Sequence, residues 1–566
     1  MAGTGIVIEK PARPRRGFAL GLIVTVLVAG AAIYARALRF PFSRDDDVHF
    51  QMRERWERPP AKLLEHFRED FWGGVEGCGL YRPLTAVTIQ ATAWWRGLDP
   101  LRLRAGNLLL HALVALTAAA LARRGGVSRT GSALLALLIV AHPLFSEDVL
   151  EVVSRSELQA TLGSIAAAAF LVAGRVEVGP AAGAALCFLF GLLSKEGATA
   201  ALPALLGLLI VRPGGDRGGA ADRRTRAIAA LLLLASLASF LLLRGRVLGS
   251  FVGLDAARIP PLDNPVVDAP FAVRLLTAIA NLGRYVGLVV FPAHLSPDYA
   301  FAAVAPLRGV ADVHFGLGVL ALLLGGAWLV AAWRRGRRVE TFGLLVAGSS
   351  WFLVSSIAVP IGTLFAERLF HLPGCGLLLA AVARLDRVVT TRAAPATGRI
   401  AVVAGALAVA ALGARSWVRA GDWHDQLMLY TRALDVVPES ARVHYTVGHL
   451  LRRAEREAEA RPRIERALEI LPTYRQAIFE AGMLDLDRAQ RDAPVLGRAY
   501  VWFWLADHAL GASQLEHHNL QQVTDLVRET GLARSEIIAA ARSIAGARPG
   551  VPLYEQMKRA LAPDGG

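Results

Sequence analysis

The stretch "GFALGLIVTVLVAGAAIYARALRFPFSRDDDVHF" occupies residues 17–50. From 18 to 38 it runs without an acidic residue, long enough for the roughly 20 apolar positions that carry a helix across a bilayer. Directly beyond come three consecutive carboxylates, Asp45, Asp46 and Asp47, and then His49. Adjacent like charges at a membrane edge repel one another and cost free energy unless a partner or a reaction uses them. The basic flank "KPARPRRG" (10–17) precedes the apolar run and no convincing small-residue cleavage site follows it. The segment therefore reads as a retained signal anchor with its N-terminal tail, residues 1–17, inside.

The rest of the chain extends this reading. Of 566 residues 54% are apolar, above the usual share of a soluble domain, which points to a polytopic membrane protein. The net charge of +15 resembles a nucleic-acid signal. Most of the surplus, however, lies in short Arg-rich loops between apolar segments, as membrane topology requires, so no nucleic-acid partner is expected. Cys78, Cys187 and Cys375 are odd in number and far apart, giving neither a disulfide framework nor a zinc signature.

Apolar runs near 18–38, 105–122, 130–145, 157–174, 178–193, 197–211, 226–243, 313–333, 340–360, 372–386 and 398–415 predict about eleven spans. Two further stretches, 83–98 and 271–292, are ambiguous, and charge resolves them. The basic loops 11–16, 123–129, 212–226, 334–338 and 384–392 fall on one side only if neither stretch crosses completely. We therefore expect 83–98 at the outer interface, with Tyr81, Trp94 and Trp95 among headgroups, and 271–292 as an interfacial or re-entrant piece. Polar loops then collect on the outer face: the acid cluster, 142–157, 194–197, 245–270 and 367–373.

From residue 416 the hydropathy collapses and a helical period appears. "RALDVVP" (432–438) returns as "RALEILP" (466–472) and Gly448 as Gly482, both 34 residues on. That is the length of a tetratricopeptide unit, a fold whose surface binds peptide or protein. The organisation expected is an N-terminal tail (1–17), a membrane domain (18–415, with outer loop 39–104), repeats (416–490) and a helical extension (491–566). The fold class is all-α, a polytopic membrane helix bundle followed by a soluble α-solenoid. No comparable motif follows about residue 490, and two repeats are fewer than usually stand alone, so the array must lean on the C-terminal helices or on the membrane domain.

The outer loops alternate acids and bases around one expected cavity. Transfer of a sugar from a lipid phosphate needs both. A carboxylate takes the acceptor hydroxyl's proton, while Arg and Lys hold the phosphate as charge develops on the leaving group. In chain order, "FSRDDD", "YRPLTAVTIQ", "LRLRAGNLLLHALVAL", "AHPLFSEDVLEVVSRSEL", "LLSKEG", "ERLFHLP" and "RALDVVPESARVHYTVGHLL" resemble the transmembrane and tetratricopeptide-repeat-containing O-mannosyltransferases and their bacterial relatives. These belong to the GT-C glycosyltransferase superfamily, so the resemblance implies a GT-C-type bundle.

The resemblance further implies a catalytic acid at Asp45 or Asp46, with Glu147 beside it in the second outer loop. It implies a polyprenyl-phosphate-linked sugar donor contacted by Arg82, His142, Arg155, Lys195, Glu196 and Arg368. Glu157 departs from the family, which has Asp there, so a strict catalytic role at 157 is not carried over. Asp45, Asp46, Asp47 and His49 could alternatively hold a divalent cation, although their spacing is not diagnostic. His111 reads as a packing residue, and His142 before Pro143 could simply end a span. The leading expectation is an inverting glycosyltransferase at the outer face of a bacterial inner membrane, with periplasmic repeats that present a protein Ser or Thr. A non-catalytic membrane scaffold that recruits a partner through its repeats is the competitor. A transporter is disfavoured by the lack of mid-span acids and of internal duplication.

Overall fold

The computed structural model describes residues 16–561 apart from 52, 73–78, 95–96, 174–175, 212–218, 252–258, 393–394, 490–492 and 510–513. The basic tail 1–15, Cys78, Trp95 and most of the 212–226 loop's glycine-rich start thus lie outside the described residues. Those described form helices and connecting turns, with no strand among them.

Among the described residues six helices are long and apolar enough to cross a membrane: Gly17–Arg39, Pro100–Arg124, Ala221–Leu248, Phe271–Val290, Val313–Arg334 and Ala396–Asp422. The bent pair Arg129–Ala141 and Pro143–Leu150 makes a seventh if it counts as one span. By length and apolarity these helices make the chain an integral membrane protein. The expected count of eleven is not reached by these criteria. Val178–Ser194 and Glu196–Ile210 are apolar but short, and Arg155–Leu171 has only 17 residues, with charges in its first turn. Pro83–Trp94, at 12 residues, is too short to cross. Tyr81 corrects the interfacial expectation for its side chain: it is fully buried and donates to Phe67 O.

Capping residues explain several boundaries. Asp99 accepts from Leu101 N with Pro100 at the first helical position, and Asp312 accepts from Phe315 N. Close helix crossings use glycine. A Cβ on Gly163 would stand 2.6 Å from Cys187 O and 2.7 Å from Gly191 N, so only hydrogen fits where helices Arg155–Leu171 and Val178–Ser194 cross.

The connecting loops gather at two opposite ends. At one end Ser128 N donates to Asp386, Arg387 pairs with Glu340 at 3.4 Å, and Arg338 caps the carbonyls of Leu171, Val172 and Val211. At the other end meet residues 43–50, 142–157, 194–200, 263–270, 292–300 and 356–371. Phe271–Val290, expected as an interfacial or re-entrant piece, qualifies by length and apolarity as a span. Its flanks nevertheless both meet this second end: Val289 O lies 3.0 Å from His142 Nε2, and Asn264, just before the helix, donates to Ser356 and Ile361 O.

The repeat region starts where helix Pro395–Asp422 ends. Helices Gln426–Leu434 and Ala441–Arg453 form one pair, and Glu457–Ile470 and Arg475–Ala489 the next. The repeated positions Ala433 and Ala467 are fully buried. A Cβ on Gly448 would lie 2.6 Å from Ile464, where the first pair meets the second. One on Gly482 would lie 3.2 Å from Trp502 and Phe503 of helix Ala493–Trp504. That helix therefore continues the stack beyond the last recognisable motif.

Candidate active site at the loop end of the bundle

Chain reversal after the first membrane helix is tight. Arg44, buried, sits at φ 57° and ψ −129°, a region costly for any side chain beyond Cβ-free glycine. It opens the short helix Asp45–His49 and sends the adjacent acids to different places. Asp46 turns inward, fully buried, and its two oxygens accept from Val152 N at 2.8 Å and Val153 N at 2.9 Å. Burial pushes its carboxyl up to about 6, against the opposing pull of Arg104 and the two amides. Asp47 is exposed. Asp45 alone faces the open space of the site, its side chain 42% exposed and 4.0 Å from the Arg368 guanidinium.

Around Asp45 lies an ion cluster. Glu147 accepts from Arg44 and Arg368 at 2.7 Å each, and also from Arg368 N at 3.2 Å. Arg44 also reaches Glu151 at 3.3 Å. A second group is assembled beside it. Arg82 holds Glu196 with two bonds, at 3.1 and 2.6 Å, and approaches Ser156 at 3.4 Å, while Lys195 pairs with Glu157. Arg82 and Arg368 lie within electrostatic reach of one another. Asp148 is fully buried nearby, and neither of its oxygens has a hydrogen-bond partner among the described residues. It shows in the sequence only as one more acid after Glu147.

Three of the expected residues are engaged by the protein's own groups. Arg155 is a structural pin, donating to Asn107 Oδ1, Thr88 O and Leu103 O at 2.8–2.9 Å. That leaves little of its guanidinium for a phosphate. His142 forms the break of the bent pair: Nδ1 accepts from Leu144 N at 3.3 Å while Nε2 faces Val289 O. His49 is boxed by Trp56, Phe71 and Trp72 with ring centroids 4.6–4.7 Å away. Burial, then Arg55 and Arg82, push it down to about 3, so the ring stays neutral. The cation set fails on the same geometry: Asp46 is spent on backbone amides, His49 on aromatic rings, and no group of three or more His, Cys, Asp or Glu among the described residues is placed to hold a metal.

What supports the cluster was missed in the sequence. Arg104 and Asn107, three residues apart on helix Pro100–Arg124, share a face. Arg104 donates to Leu150 O at 2.6 Å and Pro41 O at 2.8 Å, and Asn107 to Asp148 O and Glu151 O. Both fall within the quoted stretch "LRLRAGNLLLHALVAL", but nothing in that stretch assigned them a supporting role.

A cavity of about 240 Å³ opens over Asp45, lined on the membrane-domain side by Arg44, Asp45 and Arg368, and on the repeat side by Tyr430 and Arg442. Fold and site together define a polytopic membrane protein with an acid–arginine cavity at one end of its bundle, roofed by a helical repeat domain.

Comparison with known proteins agrees with that class. Protein O-mannosyl-transferase F38B6.6 of Caenorhabditis elegans is 23% identical over 427 residues, covering 73% of this chain and 58% of its own length. Protein O-mannosyl-transferase TMTC4 of Mus musculus is 25% identical, covering 69% of this chain and 58% of its own length. Protein O-mannosyl-transferase TMTC1 of Homo sapiens is 25% identical, covering 85% and 59%. No family model matches the chain. Its curated homologues are thus TMTC-type protein O-mannosyltransferases, of whose length it spans somewhat under two thirds.

Proposed function

We propose that the chain is an inverting membrane glycosyltransferase. It moves a monosaccharide, mannose or a similar hexose, from a polyprenyl-phosphate donor to a hydroxyl, that of a protein Ser or Thr, at the outer face of the membrane. The observation that carries this reading is the division of labour among the adjacent acids. Asp45 faces a cavity beside an arginine, whereas Asp46 is consumed by two backbone amides.

In the reaction, the acceptor oxygen forms a bond to the anomeric carbon as Asp45 takes its proton. The bond from that carbon to the phosphate oxygen breaks, and its electron pair leaves with the lipid phosphate. Arg368, Arg82 and Lys195 supply positive charge on the leaving-group side. Glu147, Glu157 and Glu196 hold those cations in place before substrate binds. Names of the homologues support sugar transfer to protein; the lipid donor is what the family resemblance implies, and the arginine and lysine groups suit a phosphate there.

The test uses purified protein in lipid with polyprenyl-phosphate mannose and a panel of Ser/Thr peptides. Asp45→Asn is expected to lower transfer by about 10²–10⁴-fold, the usual worth of a general base. Asp46→Asn is expected to act chiefly through stability. Full activity in Asp45→Asn would remove it as the base, and no transfer by folded wild-type protein with any donor would favour the scaffold reading.

A further inference from the structure

The cavity over Asp45 is not made by the membrane domain alone. Gln426, Tyr430, Arg442 and Thr446 of the first repeat also line it. The seam that brings them there is built rather than tethered. Ala441 N donates to Phe301 O, and Phe301 N to Leu262 O at 2.9 Å. Leu262, Tyr299, Phe301 and Ala303 pack against the core of the repeats. Arg442 bridges the two loops that flank helix Phe271–Val290, pairing with Asp263 before it and with Asp298 after it.

Charge on the lining is already matched. Arg44 is held by Glu147 and Glu151, Arg368 by Glu147 and Asp45, and Arg442 by Asp263 and Asp298. The repeat-side wall therefore offers an incoming group neutral hydrogen bonding. Among the described residues the Tyr430 hydroxyl and the Gln426 amide have no hydrogen-bond partner, and the Thr446 hydroxyl is turned back onto Arg442 O at 2.9 Å. The volume, about 240 Å³, falls below the roughly 300–1,000 Å³ of pockets for drug-sized ligands. It fits one side chain with its flanking backbone and excludes a folded surface.

We propose that the first repeat is a wall of the acceptor site: Tyr430, Gln426 and Thr446 contact an extended, hydroxyl-bearing polypeptide segment whose Ser or Thr side chain enters toward Asp45. This rests on the transferase reading, in which Asp45 is the base. It turns the repeat domain from a separate docking module into part of the site, with Arg442 positioning that wall. On the repeat side of the cavity an acidic peptide would meet no unmatched cation, since Arg442 is held by Asp263 and Asp298; the donor phosphate belongs to the Arg368 side.

The experiment uses the full chain in lipid nanodiscs. A benzophenone side chain is placed at Thr446 and, as control, at the exposed Arg466 on the second pair of helices. A synthetic Thr-containing peptide serves as probe, with or without excess unlabelled peptide. Separately, Tyr430→Phe is assayed for transfer. The expected results are competable cross-linking at position 446 but not at 466, and a rise of about 3- to 10-fold in acceptor KM for Tyr430→Phe, the worth of one hydrogen bond, with the donor KM unmoved.

Equal cross-linking at 446 and 466, or an unchanged acceptor KM, would overturn the proposal. Cross-linking does not depend on turnover, so the two readings fail separately. Competable capture at 446 without sugar transfer supports the wall and defeats the transferase. Transfer without capture leaves the transferase and defeats the wall.

Discussion

Replacing Glu147 with Gln removes the centre of the ion cluster while keeping its shape. The carboxylate is 1% exposed and receives three hydrogen bonds, two from the guanidiniums of Arg44 and Arg368 and one from Arg368 N. Unpairing a buried ion pair costs about 3–5 kcal/mol. Here each arginine keeps a second acid, Glu151 at 3.3 Å from Arg44 and Asp45 at 4.0 Å from Arg368. The loss is therefore expected at the low end of that range, about 3 kcal/mol. Equilibrium unfolding in mixed detergent micelles, followed by tryptophan fluorescence, measures it. Adding Arg44→Met removes one of the stranded cations, so the double variant should be less damaged than the sum of the singles, by about 1–3 kcal/mol of coupling. A Glu147→Gln protein within about 0.5 kcal/mol of wild type, the scatter of ordinary surface substitutions, would refute the claim that this cluster fastens the loops.

Further expectations follow from single residues. At Arg44 the backbone φ of 57° favours glycine, so Arg44→Gly should be more stable than Arg44→Ala by about 1 kcal/mol, read by the same unfolding assay. Arg155→Lys should lower stability through loss of bonds to Asn107, Thr88 and Leu103; a donor KM raised more than its stability falls would return Arg155 to the phosphate. Asp46 titrates at about 6 when folded and near 3.9 when unfolded. The folded state therefore holds the extra proton between these values, and stability should fall as pH rises through that window and level off above it. Unfolding free energies measured from about pH 4 to pH 7 should lose that slope in Asp46→Asn.

The membrane character and the clustering of polar loops at one end were legible, because each rests on a pattern that local chemistry imposes. Hydropathy marks spans, Arg marks loops, and the 34-residue return of "RAL" and Gly marks repeats. The individual roles were not legible. Asp45 and Asp46 are chemically identical and adjacent, and only the strained turn at Arg44 decides which meets amides and which meets the cavity. Arg155 and Arg368 both sit in matching motifs, yet one is surrounded by carbonyls and the other faces Asp45. Support of the repeats by C-terminal helices was expected from their small number, but which helix gives it was not legible, because the contact is a packing surface, Trp502 and Phe503 against Gly482, and not a repeated word.

One detail of the supporting layer reaches further than its size. Arg104 and Asn107 stand on the same helical face and grip two loops distant in sequence, one carrying the acid turn and the other carrying Glu147 and Glu151. One helix thus holds the turn of Asp45 and the loop of Glu147 and Glu151 in a single frame. Arg368 reaches Glu147 from a separate segment that this helix does not grip, so the cluster is a clasp with one half braced by helix Pro100–Arg124 and the other carried on the chain before helix His371–Arg392.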